Sequence, residues 1–262
     1  LMLVSLPFVA ALASKVRLQW AVGDQSLGAA LMIGAAALMI GLGLAACGSL
    51  AVYILSVPAV ALSILIYRGE RPGRRDQLLA LGGALAMGGI AAALSLSPLL
   101  AELGLNRDSH VFIAETRPEI FARTAAAVGA HLPFGTGLGS FTAVYPQFED
   151  PSSVGNTYIN QAHNEYLQIP LELGVPGIAL LVLAGIWWGV MSWRIWTARK
   201  RDDLRLQKAA SVALFLLAAH SLVDYPLRTA ALAALAMLCA VLMCGKGGDG
   251  RRRSAEETAV DL

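Results

Sequence analysis

The chain has 262 residues, of which 56% are hydrophobic and only 15% charged, with a formal net charge of +2 and a mean hydropathy of +0.62. That is too apolar and too sparsely charged for a soluble domain. The charges gather in short clusters between long apolar stretches, the pattern produced when hydrocarbon excludes charge, so an integral membrane protein is expected and a nucleic-acid partner is not.

The chain opens at Leu1 on an apolar run over 1–13. No basic region precedes it, as a signal peptide would require, and it is shorter than the ~20 residues that span a bilayer. The sequence therefore reads as the C-terminal part of a longer membrane protein. Apolar runs at 26–47 and 49–67 are each long enough to span, with Gly48-Ser49 making the turn between them. A third candidate covers 77–97, a fourth 169–193, and 209–244 reads as two shorter spans broken at Asp224-Tyr225-Pro226. No alternating strand pattern is present, and backbone groups in lipid must be satisfied within their own segment. The expected fold is an all-α polytopic helical bundle. Cys47, Cys239 and Cys244 lie in or at the end of apolar runs, so no disulfide, metal site or other cofactor is expected.

Lys and Arg counted over short loops give the orientation. Arg68, Arg71, Arg74 and Arg75 form one cluster. Arg194, Arg199, Lys200, Arg201, Arg205 and Lys208 form a second, and Lys246 with Arg251, Arg252 and Arg253 a third. Placing all three in the cytoplasm divides the chain into N-terminal spans over 1–97, an external loop over 98–168 that contains short helices, C-terminal spans over 169–245, and a basic cytoplasmic tail over 246–262. Trp187, Trp188, Trp193 and Trp196 fall near the cytoplasmic end of the fourth span, where aromatic anchors belong.

Within the external loop, 109–131 alternates apolar and polar residues at helical spacing, with Val111, Phe112, Glu115, Ile120, Phe121, Thr124 and Val128 consistent with an amphipathic helix lying at the surface, and Pro118 either starts a new helix or kinks this one. The glycine-rich run Pro133-Phe134-Gly135-Thr136-Gly137-Leu138-Gly139-Ser140-Phe141 serves either as a cradle of backbone amides for a ligand or as a plain tight turn. Beyond it, Gln161-Ala162-His163-Asn164-Glu165-Tyr166-Leu167-Gln168 enters the fourth span directly. Such polar density beside a bilayer is costly unless solvated or used.

The order of Arg117, the glycine-rich run, His163-Asn164-Glu165-Tyr166-Leu167-Gln168 and then Glu172-Leu173-Gly174-Val175-Pro176-Gly177 resembles the O-antigen ligase and polysaccharide polymerase superfamily of bacterial inner membranes. His220-Ser221-Leu222-Val223-Asp224-Tyr225-Pro226-Leu227-Arg228 resembles the paired-helix turn that follows in that family. The resemblance covers roughly 78–243; before residue 78 it is a match of hydropathy alone. Many relatives carry a serine-arginine pair in an earlier helix, where this chain has Gly48-Ser49-Leu50.

The resemblance implies a multi-pass inner-membrane glycosyltransferase with its long loop in the periplasm. Its donor would be a glycan on an undecaprenyl-diphosphate carrier. Its acceptor would be a hydroxyl of lipid A-core, of a growing glycan or of a protein. The leaving diphosphate needs cations at the membrane surface, and a guanidinium holds phosphate oxygens in a bidentate fork. Arg117 comes first in that role, then Arg228, then Arg123. His163 is the candidate base for the acceptor hydroxyl. Glu165 and Asn164 either orient it, bind sugar or cap the helix, and Gln168 and Tyr166 are further candidates for acceptor or sugar contact. Tyr145, Tyr158 and Tyr166 suit sugar stacking and interface anchoring equally. Glu172 lies near the face of Glu165 inside the span, where an unpaired carboxylate is costly, so that a structural partner such as a buried donor and a catalytic role stand equally open, and His220 and Asp224 are spaced to face one another. A transporter of lipid-linked or polar solutes is the alternative, but it would distribute its charges along a path through the spans; an inert membrane scaffold is a third reading.

Overall fold

The computed structural model describes residues 2–21, 27–47, 49–69, 117–149, 159–198 and 204–245, and among these the chain is helical without strands. Three long helices come first: α1 (Met2–Ala21), α2 (Leu27–Ala45) and α3 (Leu50–Arg68). Then follow α4 (Arg117–His131), the short α5 (Phe141–Val144), α6 (Glu165–Thr197), α7 (Arg205–His220) and α8 (Ala230–Cys244). Among the described residues, four helices are long and apolar enough to cross a membrane: Met2–Trp20, Leu27–Ala45, Ala51–Arg68 and Glu165–Thr197. The span expected at 77–97, residues 109–116 of the amphipathic helix, and the basic tail lie outside the described residues.

The first helix is longer than its apolar run suggests. α1 continues past Ala13 because Ser14 turns into the core, while the Arg17 guanidinium lies 5.1 Å from the Tyr67 ring centroid on α3. A long basic side chain at a span end carries its charge out along the neighbouring surface in this way. The same contact aligns α1 with α3. Met2 against Gly43 brings the start of α1 to the end of α2, so α2 runs antiparallel to both. Arg205, at the start of α7, lies against Gly69 at the end of α3. Arg17, Arg68, Arg205 and Lys208 therefore share one end of the bundle.

The bundle core runs along α7, whose Ala209, Ala210, Val212, Ala213, Leu216 and Leu217 are buried against α1, α3 and α8. Two of the tryptophans expected as anchors also join helices: the Trp188 and Trp196 indoles donate to the backbone carbonyl and the hydroxyl of Ser211, both at 3.0 Å. Trp193 stays exposed.

A second, smaller core lies at the other end. Ile120, Thr124 and Ala127 form the buried face of α4, so the periodicity of 109–131 shows in its described half, and Pro118 stands in the first turn, where a missing N–H is harmless. They pack with Phe141, Val144, Tyr145, Ala162 and Leu171. Tyr145 is buried, stacked on Phe141 at 5.0 Å, and is closed to a sugar ring.

The fourth span is not one continuous helix. At Gly174 the backbone turns to φ 62°, ψ −143°, a conformation open to glycine. Pro176 has no N–H to donate to the Glu172 carbonyl four residues back. The glycine-rich run repairs the break: Gly137 N–H donates to Glu172 O at 2.8 Å, Thr136 N–H to Leu171 O at 2.9 Å, and Val175 N–H to Pro133 O at 2.8 Å. The Thr136 and Gly137 amides are thus used to splice a helix, which takes these two donors from the ligand-cradle reading of the run. A Cβ on Gly135 would lie 2.5 Å from Gly174 N, so both glycines are required by the close approach.

Candidate active site

The break divides α6 into two different surfaces. Above it, Glu165, Gln168, Leu171 and Glu172 are buried; below it, Val182, Leu183 and Ile186 are exposed. The polar residues repeat at helical spacing along the buried upper face, and each has a partner. Gln168 is 1% exposed. Its Nε2 donates to Gln161 Oε1 at 2.6 Å and to Glu172 Oε1 at 3.0 Å, and its Oε1 accepts from Ala162 N–H at 3.0 Å. Glu172, 2% exposed, is paired on its other oxygen with Arg228 Nη2 at 3.2 Å. The donor that a carboxylate at this depth required is thus Arg228, on a turn 56 residues later.

Glu165 also points away from the expected histidine. Its carboxylate accepts from Leu227 N–H at 2.9 Å, and its own N–H donates to Ser221 O at 3.0 Å. It clamps the turn between α7 and α8 onto the start of α6. Asn164 caps α6, its side chain accepting from Tyr166 N–H at 2.9 Å, and the Tyr166 hydroxyl donates to Ala218 O at 3.0 Å.

His163 stands just outside the helix with φ 53°, an uncommon left-handed position for a residue other than glycine. It is held between Tyr225, edge-on at 5.0 Å between centroids, and Asp224, whose Oδ1 lies 3.4 Å from His163 Nδ1. The other oxygen of Asp224 lies 3.6 Å from His220 Nε2. Asp224 is therefore a bridge between two histidines. Its partial burial raises the carboxyl pKa, but the imidazoles of His163 and His220 beside it and the hydrogen bond from the Tyr225 amide outweigh that and hold it well below the usual carboxylate range. The i,i+4 spacing of His220 and Asp224 was visible in sequence; the pairing with His163 was not.

Of the three arginines, Arg117 reaches the same turn, Nη1 donating to Val223 O at 3.2 Å, and remains exposed. Arg228 joins it through Glu172. Arg123 is turned to Phe148 O at 3.0 Å, away from these groups. His131 is likewise occupied with Ala127 O at 2.8 Å. Tyr158 lies outside the described residues.

Beside Asp224 opens a cleft of about 280 Å³. Leu3, Val4, Val52, Leu216, Leu217 and Leu232 wall it, and it ends on His220, Asp224 and Tyr225. A carboxylate flanked by imidazoles, an exposed guanidinium and an apolar cleft thus meet at the end of the bundle opposite the basic helix ends. Such a set can accept a proton, neutralise a developing negative charge and lodge an apolar chain.

A family model described as O-Antigen ligase matches residues 3–182. The match takes in Arg117, the glycine-rich run and His163, stops before Asp224 and Arg228, and reaches well before residue 78, where the resemblance read from sequence had been hydropathy alone. No curated protein and no solved structure matches the chain.

Proposed function

Because the chain belongs to the O-antigen ligase family, whose activity is of the ligase or polymerase glycosyltransferase type, we propose that it transfers a glycan from an undecaprenyl-diphosphate carrier to an acceptor hydroxyl. In this reading the chain lies in a bacterial inner membrane with its basic helix ends in the cytoplasm, and the reaction takes place at the periplasmic surface. The observation that carries the proposal is the Asp224 carboxylate 3.4 Å from His163 Nδ1, at the end of the bundle away from Arg17, Arg68, Arg205 and Lys208.

With Nδ1 turned to Asp224, the imidazole offers Nε2 to the acceptor. The acceptor oxygen attacks the anomeric carbon and gives its proton to His163. The bond between that carbon and the phosphate oxygen breaks, and the diphosphate leaves with its negative charge. Asp224 stabilises the imidazolium formed and holds the ring in the required tautomer, as a buried carboxylate does for histidine bases elsewhere. Arg117 is the first cation for the diphosphate. Arg228 is the second, since a guanidinium has five N–H donors and Glu172 engages part of them. Arg123 comes third. The apolar cleft supports the lipid nature of the donor, and the acceptor is lipid A-core, a growing glycan or a protein.

The test is glycan transfer in membranes of a host that accumulates undecaprenyl-diphosphate glycan. The full-length gene product is compared with His163→Ala, Arg117→Ala and Asp224→Asn at matched protein levels. Loss of transfer with accumulation of donor in all three supports the assignment; wild-type transfer by His163→Ala refutes it.

A further inference from the structure

We propose that the tip of the glycine-rich run, centred on Phe134 and Leu138, inserts into the outer edge of the bilayer as an interfacial wedge. The inference rests on where the spans lie and is independent of the reaction proposed above. Phe134 is 86% exposed and Leu138 78%. Exposure of that extent on two large apolar side chains of a docked turn marks a contact surface.

Three observations identify lipid as the occupant. First, the turn is moored to α6 at its break, through Gly137 to Glu172 and Val175 to Pro133. Below the break, residues 175–197 make roughly 34 Å of helix at 1.5 Å per residue, enough for a hydrocarbon core of ~30 Å. The break therefore marks the membrane boundary, and Val175 and Ile178 just below it are exposed apolar residues like Phe134 and Leu138. Second, the chain carries no Asp, Glu, Lys, Arg or His between His131 and Glu149, although the flanking external segments are polar. Third, the two hydroxyls of the turn are satisfied internally, as lipid demands. The Thr136 hydroxyl donates to Leu171 O at 3.0 Å and the Ser140 hydroxyl to Gly137 O at 2.6 Å. Nothing about a water-exposed turn requires that combination.

The wedge is tested with Phe134→Cys and Leu138→Cys, each made in a full-length chain whose Cys47, Cys239 and Cys244 are replaced by Ala. Leu183→Cys, exposed in the middle of α6, and Gln147→Cys, exposed in the external part, are the controls. Each is nitroxide-labelled in vesicles of phosphatidylethanolamine and phosphatidylglycerol, and collisions with oxygen and with a water-soluble nickel chelate are measured. Labels at 134 and 138 are expected to gain oxygen collisions and lose nickel collisions relative to Gln147, at a depth shallower than Leu183. Nickel access equal to that at Gln147 overturns the proposal in favour of a solvated turn. Loss of access to both reagents overturns it in favour of coverage by protein.

Discussion

Arg228→Met removes the guanidinium 3.2 Å from a Glu172 carboxylate that is 2% exposed. Stranding one member of a buried ion pair costs about 3–5 kcal/mol. The lower end applies here, because Gln168 still donates to Glu172 and Arg228 is itself 27% exposed; the expected loss is about 3 kcal/mol. In Glu172→Met with Arg228→Met both charges are gone, and Gln168 keeps Gln161 and Ala162 as partners. Exchange of a whole pair for apolar groups is often close to neutral, so the double variant should recover about 2 kcal/mol of coupling relative to the sum of the single variants. The assay is equilibrium unfolding of the full-length protein in mixed micelles, followed by the fluorescence of Trp188 and Trp196 at the α6–α7 junction. Arg228→Met within about 0.5 kcal/mol of wild type, or strict additivity in the double variant, would refute the reasoning. The same proteins separate architecture from chemistry: if Arg228 also holds diphosphate, the stabilised double variant still transfers no glycan.

Gly174→Ala should unseat the glycine-rich run, since it combines a φ of 62° with a Cβ driven onto Pro133 O, whereas Gly129→Ala, with nothing within 4 Å in a helix interior, should be neutral or stabilising by about 0.5–1 kcal/mol; proteolysis at residues 132–139 and melting in detergent report both. Asp224→Asn keeps the shape of the bridge but removes its charge, and transfer should fall by about 10²–10⁴ with donor affinity little changed, as resolved by kcat and KM measured separately. Because the carboxyl pKa of Asp224 is depressed in the folded chain, its contribution to stability is full above its ordinary value near 3.9 and is lost as pH falls below that towards the folded value. Wild type should therefore lose stability over that acid range more steeply than Asp224→Asn, a difference read from unfolding midpoints.

The membrane class, the helical fold and the gathering of basic residues at one end of the bundle were legible without coordinates. They follow from hydropathy and charge, which are properties of composition along the chain. The amphipathic face of α4 was legible for the same reason, through Ile120 and Thr124. The length of α1 was not, because Lys15 and Arg17 interrupt the apolar run and only the neighbouring Tyr67 accounts for the position of Arg17. The broken fourth span was signalled by Gly174 and Pro176, but hydropathy averages over such a break.

The candidate site divides along the same line. His163 and Arg117 stood out in a recognisable order of motifs, whereas their partners come from one turn, about 60 residues beyond His163 and 106 beyond Arg117. Glu165 and Gln168 lie next to His163 in the chain, yet the helix that starts between them turns both side chains inward, to Leu227 and to Gln161, Ala162 and Glu172. Asp224 takes the position opposite the imidazole because α7 returns to the start of α6, where Ser221 accepts from Glu165 N–H. Residue types and their local periodicity are written in the chain itself. Which carboxylate faces which histidine depends on how distant helices pack, and that packing is set by the buried faces of α6 and α7 acting together.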